Sequence, residues 1–259
     1  MAKIITITSG KGGVGKTTST INLSAALNHF GKEVIIIDAN LTTPNIGIHL
    51  GSPNVPIYLN HALIGKNEAK EALYLHKTGI KIVPSSLSLN HLRGVKPEKL
   101  IEVAKELGKF ADFVIIDSAA GLGREAISAI KTADEIIIIT QAEIAAITDA
   151  LKTIKLAEKI NKKVLGVIIT RFRNNEAEMN LDDIRTMLDV KILGIVPEDN
   201  YVKKALNARE PVFNAFPKSD AARSYKKIVA KILGDSYVKR LEDEESILHK
   251  FLKRLKIKG

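Results

Sequence analysis

The sequence predicts one α/β domain with a mostly parallel, doubly wound sheet of about seven or eight strands, helices on both faces, and a C-terminal amphipathic tail. Seven short β-branched runs recur along the chain, and helix-like segments lie between most of them. The 259 residues, of which 45% are hydrophobic and 26% charged, suit one large folded domain. We place the domain at residues 1–235 and the tail at residues 236–259.

The predicted strands are apolar throughout, which is typical of strands whose two faces are both buried. They cover residues 3–8, 33–38, 80–84, 113–117, 135–140, 164–170 and 191–197. Helical patterns cover residues 16–30, 97–109, 124–132, 148–160, 181–188, 202–207 and 220–233. We expect residues 44–79 to be irregular. Ligands of parallel sheets bind beyond the carboxyl ends of the strands, where most of the polar and Gly-rich residues of this chain gather.

The first strand leads into a complete phosphate-loop motif, G-x-x-x-x-G-K-[ST], which is followed by a helix. Glycines let the backbone N–H groups point at phosphate oxygens, and the helix adds its positive end. We expect Lys16 to bridge the β- and γ-phosphates and the Thr17 hydroxyl to ligate Mg²⁺. The predicted nucleotide-binding residues of this segment are Gly10, Lys11, Gly12, Gly13, Val14, Gly15, Lys16, Thr17 and Thr18.

The string from Lys11 to Thr18 resembles the deviant Walker A motif of the MinD/ParA family of P-loop ATPases, and looks closest to MinD and its archaeal relatives. The resemblance extends through Ile37-Asp38-Ala39-Asn40, Ile116-Asp117-Ser118-Ala119-Ala120-Gly121, Thr170-Arg171 and Gly194-Ile195-Val196-Pro197-Glu198-Asp199. It implies hydrolysis of ATP with Mg²⁺ and an ATP-dependent homodimer. In that family Lys11 is the signature lysine, which reaches across the dimer to the partner's phosphates as an arginine finger does.

Asp38 ends the second strand, and the resemblance places it in switch I, near the metal and the attacking water. The family normally carries a second Asp two residues further on, but this chain has Asn40. An amide has no negative charge with which to polarise water and cannot act as a base. We hypothesise that Asn40 makes hydrolysis slow, unless Asp38 or another group compensates.

Asp117 follows the apolar run of residues 113–116, where a Walker B carboxylate belongs. It would hold Mg²⁺, through water, together with Thr17 and Asp38. The glycines at 121 and 123 would let the next loop, switch II in the family, sense the γ-phosphate.

The chain does not carry the guanine-specific N-K-x-D element, because residues 161–164 read Asn-Lys-Lys-Val, so we expect ATP rather than GTP. By resemblance, Arg171 and the loop of Pro197, Glu198 and Asp199 would flank adenine. A guanidinium can stack on a purine face, which suits Arg171.

The tail carries a pattern typical of an amphipathic membrane-binding helix at about residues 246–257. Its apolar and basic residues also resemble the membrane-targeting tail of MinD: Ile247, Leu248, Phe251, Leu252, Lys253, Arg254 and Leu255. Five cations in residues 246–259 supply half of the net charge of +10. Packing on its own domain and a disordered basic tail are the alternatives.

These patterns favour an ATP-driven dimer that binds an anionic membrane surface and positions a partner protein. A ParA-like partition ATPase, whose dimer binds DNA nonspecifically, is the alternative. An iron–sulfur carrier is excluded because the chain has no cysteine, and a biotin-synthesis ligase lacks an evident substrate site. With no signal-peptide pattern and no run of about 18 apolar residues, we expect a cytoplasmic protein, peripheral on the inner face of the cell membrane.

Overall fold

The computed structural model describes residues 2–52 and 54–243. The predicted membrane-targeting helix at about residues 246–257 lies outside the described residues. Within the described part, no helix is long and apolar enough to cross a bilayer.

Eight strands of the described chain form one sheet in the order β3-β4-β2-β5-β1-β6-β7-β8, which confirms the predicted fold class. All neighbouring strands are parallel except β3, which pairs antiparallel with β4. The strands are β1 (Lys3–Thr8), β2 (Val34–Ala39), β3 (Tyr74–Leu75), β4 (Lys81–Val83), β5 (Phe113–Ser118), β6 (Glu135–Thr140), β7 (Lys163–Phe172) and β8 (Ile192–Pro197).

Helices cover both faces of this sheet, as the alternating order of elements predicts. They are α1 (Lys16–His29), α2 (Ile46–His49), α3 (Leu59–Leu63), α4 (Leu100–Leu107), α5 (Arg124–Thr132), α6 (Ile144–Lys159), α7 (Leu181–Leu188), α8 (Asn200–Asn207), α9 (Val212–Ala215) and α10 (Asp220–Leu233). Short 3-10 helices lie at Ala69–Ala72, Leu89–Leu92, Pro97–Lys99 and Gly108–Phe110. Residues 235–243 are helical, and the Tyr237 ring packs edge-on against Phe30.

Side chains of alternate residues in each strand are buried on opposite faces of the sheet. Ile5, Ile36 and Ile115 belong to a core built with α1, α9 and α10. Their neighbours Ile4 and Ile35 pack with α3 and α4 on the opposite face. A third cluster joins β6 and β7 to α6 and α7. The two-sided burial explains why the strands are apolar throughout.

Residues 44–79, expected to be irregular, contain the short helices α2 and α3, a 3-10 helix and strand β3. These elements have two to five residues and span fewer than two periods of a helix or strand pattern, so hydrophobic periodicity does not reveal them. Helix α6 also begins four residues before the predicted start, at Ile144 rather than Thr148, with Glu143 as its extended N-cap.

Candidate functional site

The phosphate loop lies between β1 and α1 with the backbone geometry that glycine allows. Gly13 and Gly15 have φ angles of 79° and 87°, in the left-handed region. Gly15 is the N-cap of α1, and no side chain of the described residues caps this helix. The N–H groups of its first turn are therefore not used by a capping side chain, an arrangement that suits a phosphate group.

Gly10 lies against helix α6 so closely that only glycine fits. A Cβ atom added at Gly10 would lie 2.3 Å from the backbone oxygen of Asp149. A Cβ at Gly12, in contrast, would meet no atom within 4 Å. The start of the loop is thus fixed by contact with α6, whereas its middle faces open space.

Asp117 is fully buried at the end of β5 and is surrounded by groups from the start of α1. The hydroxyl of Thr17 donates to Asp117 Oδ2 at 2.6 Å, and that of Thr20 lies 3.1 Å from Oδ1. Lys16 Nζ lies 3.7 Å from the same Oδ1, and its side chain is 9% exposed. The predicted residues Lys16, Thr17 and Asp117 therefore share one buried cluster, to which Thr20 is an addition that the motif does not specify.

Asp38 lies beside Asp117 because β2 and β5 pair with these two residues in register. The Asp38 carboxylate accepts backbone N–H groups of Asn45 and Ile46, each at 2.9 Å, and of Asn40 at 3.3 Å. Burial, and next the charge of Asp117, raise the pKa of Asp38 to about 8, while these N–H groups oppose the rise. Two adjacent buried carboxyls are costly without a cation between or beside them.

The donor set suits Mg²⁺ held jointly with a nucleotide. A hydroxyl and one or two carboxylates are the oxygen ligands that Mg²⁺ takes from proteins, with phosphate oxygens and water completing its shell. No cluster of three or more Asp, Glu or His side chains in residues 2–52 and 54–243 could hold a metal alone. Phosphate oxygens of a bound nucleotide would complete such a site.

Asn40 is 7% exposed, and its amide is engaged within its own loop. Its Nδ2 donates to the backbone oxygen of Thr43 at 2.5 Å, and its Oδ1 accepts from the Thr43 hydroxyl at 3.1 Å. The amide thus closes the turn that follows β2.

Lys11 belongs to the same loop as Lys16 but has a different environment. Its side chain is 46% exposed, and its Nζ lies 3.6 Å from Oε2 of Glu143 at the start of α6. Ile144, which follows Glu143 in the chain, is 61% exposed, and Leu122, in the loop before α5, is 41% exposed. Lys11 is therefore a partly solvated cation, and an exposed apolar side chain follows its partner Glu143 in the chain.

A narrow cleft beside the phosphate loop brings together the residues predicted to flank the base. Its lining includes Gly15, Thr18, Arg171, Pro197, Glu198 and Asp199. Arg171, the last but one residue of β7, has a φ of 51°, where the pairing of β7 with β8 is irregular between Ile169 and Phe172. Asp199 caps α8 by accepting the N–H of Tyr201 at 2.8 Å and also accepts that of Ala221 at 3.1 Å. Asp199 thus holds the wall of the cleft in place.

The loops around the site are tied to one another by hydrogen bonds. The Thr170 hydroxyl lies 2.6 Å from the backbone oxygen of Val14, and the N–H of Gly121 donates to the oxygen of Ser9 at 2.9 Å. Glu125, in the first turn of α5, binds the loop after β2 through Leu41 and Thr42. Sequence reasoning missed Glu125, Glu143 and Asp149; only for Glu125, just past a Gly-rich loop, does the sequence carry a signal.

Comparison with known proteins agrees with this geometry. The ParA family profile, described as NUBPL iron-transfer P-loop NTPase, matches residues 1–233. An uncharacterised ATP-binding protein of Methanocaldococcus jannaschii is 40% identical over 256 residues, covering 98% of this chain and 97% of its own.

Two solved structures share the fold over most of their length. The septum site-determining protein MinD of Pyrococcus horikoshii, complexed with Mg-ADP, superimposes with a TM-score of 0.86 at 34% identity, covering 90% of this chain and 96% of its own. MinD in the MinC:MinD cell division complex of Aquifex aeolicus gives a TM-score of 0.80 at 30% identity, covering 90% and 96%.

Proposed function

Because this chain belongs to the ParA family of P-loop NTPases, we propose that it is an ATPase whose ATP-bound form dimerises, binds a membrane surface and positions a partner protein. One observation carries the proposal. Lys16, Thr17 and Asp117 converge in a buried cluster, while Lys11 of the same loop remains 46% exposed. One lysine thus serves the phosphates of its own subunit, and the other is available to a second subunit.

The roles of the residues follow from their environments. The buried ammonium of Lys16 would neutralise phosphate charge in a site from which water is largely excluded. Thr17 and Asp117 would hold Mg²⁺, with Asp38 beside them, and the ion would supply charge stabilisation at the phosphates. A cation there would also oppose the effects that raise the pKa of Asp38. The Mg-ADP bound to the P. horikoshii protein supports this assignment.

The cleft lined by Arg171, Pro197, Glu198 and Asp199 would hold adenine. It opens beside Gly15 and Thr18, so a base could lie there while the phosphates lie on the loop. The exposed Arg171 side chain could stack on the purine face.

Dimerisation would give Lys11 a new partner. In the single subunit it lies beside Glu143, an exposed pair that is weak in water. Phosphates of a second subunit carry more negative charge, and Leu122 and Ile144 offer apolar surface that a second subunit could cover. ATP would favour the dimer because the charge that attracts Lys11 is complete only with the γ-phosphate.

Asn40 would prolong the ATP-bound state. Its amide closes a turn with Thr43 and supplies no negative charge for the attacking water. Slow hydrolysis would give the dimer time to bind its surface and its partner. A protein partner is supported by the MinC:MinD complex of the Aquifex relative.

The tail at residues 246–257 would attach the dimer to the inner face of the cell membrane, in an otherwise cytoplasmic protein. A single short amphipathic helix binds reversibly, and two in one dimer bind far more tightly. The iron transfer in the family description does not carry over, because the chain has no cysteine to hold an iron–sulfur cluster.

Co-sedimentation tests this function. The full chain is mixed with anionic or zwitterionic vesicles, or with DNA, in the presence of ATP or ADP and Mg²⁺, and ATP turnover is followed in parallel. We expect ATP-dependent pelleting with anionic vesicles that is lost in a chain ending before Ser246 and in the full-length variant Phe251→Lys. DNA binding that survives the truncation, without lipid binding, would favour a partition ATPase instead.

A further inference from the structure

The loop that follows β2 is held from two sides by two carboxylates. Asp38, at the end of β2, accepts N–H groups from Asn40, Asn45 and Ile46 at the two ends of the loop. Glu125, 84 residues further along the chain, accepts the N–H of Leu41 at 3.0 Å from the other side. The Glu125 carboxylate also accepts the Thr42 hydroxyl at 2.6 Å and the Thr42 N–H at 3.4 Å. The middle of this loop is therefore fixed by a residue of another element.

Glu125 lies directly after the second Gly-rich loop of the site. Residues 119–123 separate β5 from α5, and the N–H of Gly121 in this stretch donates to the oxygen of Ser9, where β1 enters the phosphate loop. Gly121 has a φ of 78°, so it adopts a backbone conformation that most other residues would resist. Four residues further on, the Glu125 side chain reaches Leu41 and Thr42.

The direction of the Glu125 side chain distinguishes it from an ordinary acid at a helix start. Acidic residues in a first turn usually stabilise their own helix by facing its N–H groups. Glu125 instead directs both carboxylate oxygens to a different loop. Its neighbour Arg124 pairs with Glu98, at 2.8 and 3.1 Å, away from that loop. The first turn of α5 is thus attached to the loop after β2 through one side chain.

We propose that Glu125 is a positioning residue that makes switch I (residues 38–46) and switch II (residues 119–123) respond together to the nucleotide. A shift of Gly121 towards or away from the γ-phosphate would move the head of α5, and the Glu125 carboxylate would carry the shift to Leu41 and Thr42. Asp38 and Asn40, which lie in the same loop, would then be set for hydrolysis only when both loops are in place. This inference rests on the proposed ATP switch.

Substitutions can distinguish a coupling of the two loops by Glu125 from a role in which Glu125 only stabilises the loop after β2. Glu125→Gln keeps the shape but replaces one accepting oxygen by an NH₂ group, which cannot accept an N–H or a hydroxyl proton. Thr42→Val removes the hydroxyl donor from the other side of the same contact. Glu98→Gln is the matched control, because Glu98 pairs with Arg124 next to Glu125. In the full-length protein, each variant is compared with the parent by amide hydrogen exchange with Mg-ADP and with Mg-ATPγS.

In the parent and in Glu98→Gln, we expect residues 40–46 and 119–125 to gain protection together when ATPγS replaces ADP. In Glu125→Gln, residues 119–125 should still respond, whereas the response of residues 40–46 should fall at least about tenfold. Its kcat should fall by about tenfold with a KM for ATP changed by less than about threefold. The effects of Glu125→Gln and Thr42→Val on kcat should be non-additive, because both variants break one contact.

Two results would overturn the coupling. One is a Glu125→Gln protein whose residues 40–46 respond as in the parent. The other is a loss of protection that is equal with ADP and ATPγS, which a purely stabilising role would produce. Measuring the size of the same samples tests the proposed function separately. A parent that stays monomeric with ATPγS would contradict the ATP switch. A parent that dimerises, with a Glu125→Gln variant that keeps the coupled response, would contradict only the role of Glu125.

Discussion

Asn40 is the residue that we propose makes hydrolysis slow. We expect Asn40→Asp to raise turnover by at least about tenfold, because a carboxylate can polarise the attacking water. The same change removes the Nδ2 donor to Thr43, so the variant should also lose about 1 kcal/mol of stability. Steady-state ATP turnover and urea denaturation measure the two effects.

Asn90→Asp is the control for Asn40→Asp, because it adds the same charge at an exposed position outside the site. Its turnover should equal that of the parent. A rate for Asn40→Asp that is unchanged or lower would remove the hypothesis that the amide slows hydrolysis.

Gly10 and Gly12 offer a second comparison of single residues. Gly10→Ala should destabilise the nucleotide-free protein by about 1–3 kcal/mol, because the new Cβ would lie 2.3 Å from the Asp149 backbone oxygen and α6 cannot easily move. Gly12→Ala meets no atom within 4 Å and should change stability by less than about 0.5 kcal/mol. Equal stabilities of the two variants in urea would contradict the packing of the loop on α6.

At the scale of elements, Glu135 joins three neighbouring strands. From the first position of β6 it binds Lys3 of β1 at 2.6 Å and Lys163 of β7 at 2.5 Å. Burial would raise the pKa of Glu135, but the hydrogen bonds from Lys163 and Lys3 outweigh it and lower the pKa. We expect Glu135→Gln to cost about 1 kcal/mol at neutral pH, since the lysines are partly exposed and screened.

The pH dependence of that cost follows from the lowered pKa. The contribution of Glu135 is complete above the ordinary carboxyl pKa of 4.5 and is lost as the pH falls through the lower folded-state value. The difference in unfolding free energy between parent and Glu135→Gln should therefore be constant above about pH 5.5 and decrease as the pH falls below 4.5. Glu33→Gln, which breaks an exposed pair with Lys81, should show little difference at any pH. A difference in unfolding free energy between parent and Glu135→Gln that stays constant down to about pH 3 would contradict this account.

The sequence predicts the long elements well and the short ones poorly, for a physical reason. Helices α5, α7 and α10 have the predicted bounds because each buries one face over two or more turns, and strand β6 has them because it is one continuous apolar run. Elements α2, α3 and β3 are too short to show a period, and α3 is also positioned by a contact outside its own segment. The N–H of Leu59, for example, donates to the oxygen of Pro84 at 2.9 Å.

At the scale of the whole molecule, the site combines loops from strands that are far apart in sequence. Their convergence could be predicted, because parallel strands place their carboxyl ends at one edge of the sheet. The individual contacts could not be predicted. Nothing in the spacing of Lys11 and Glu143, or of Gly10 and Asp149, indicates that these residues lie next to each other. These contacts depend on how α6 packs beside the phosphate loop.

The central claim concerns two molecules, since Lys11 is proposed to exchange Glu143 for the phosphates of a second subunit. Sedimentation velocity of the parent and of Lys11→Ala, each without nucleotide, with Mg-ADP and with Mg-ATP, tests it most directly. Lys155→Ala, which removes an exposed lysine paired with Glu158, serves as the control. We predict that the parent and Lys155→Ala become dimers with ATP alone, while Lys11→Ala stays monomeric yet still binds ADP. A Lys11→Ala protein that dimerises with ATP as readily as the parent would contradict the account.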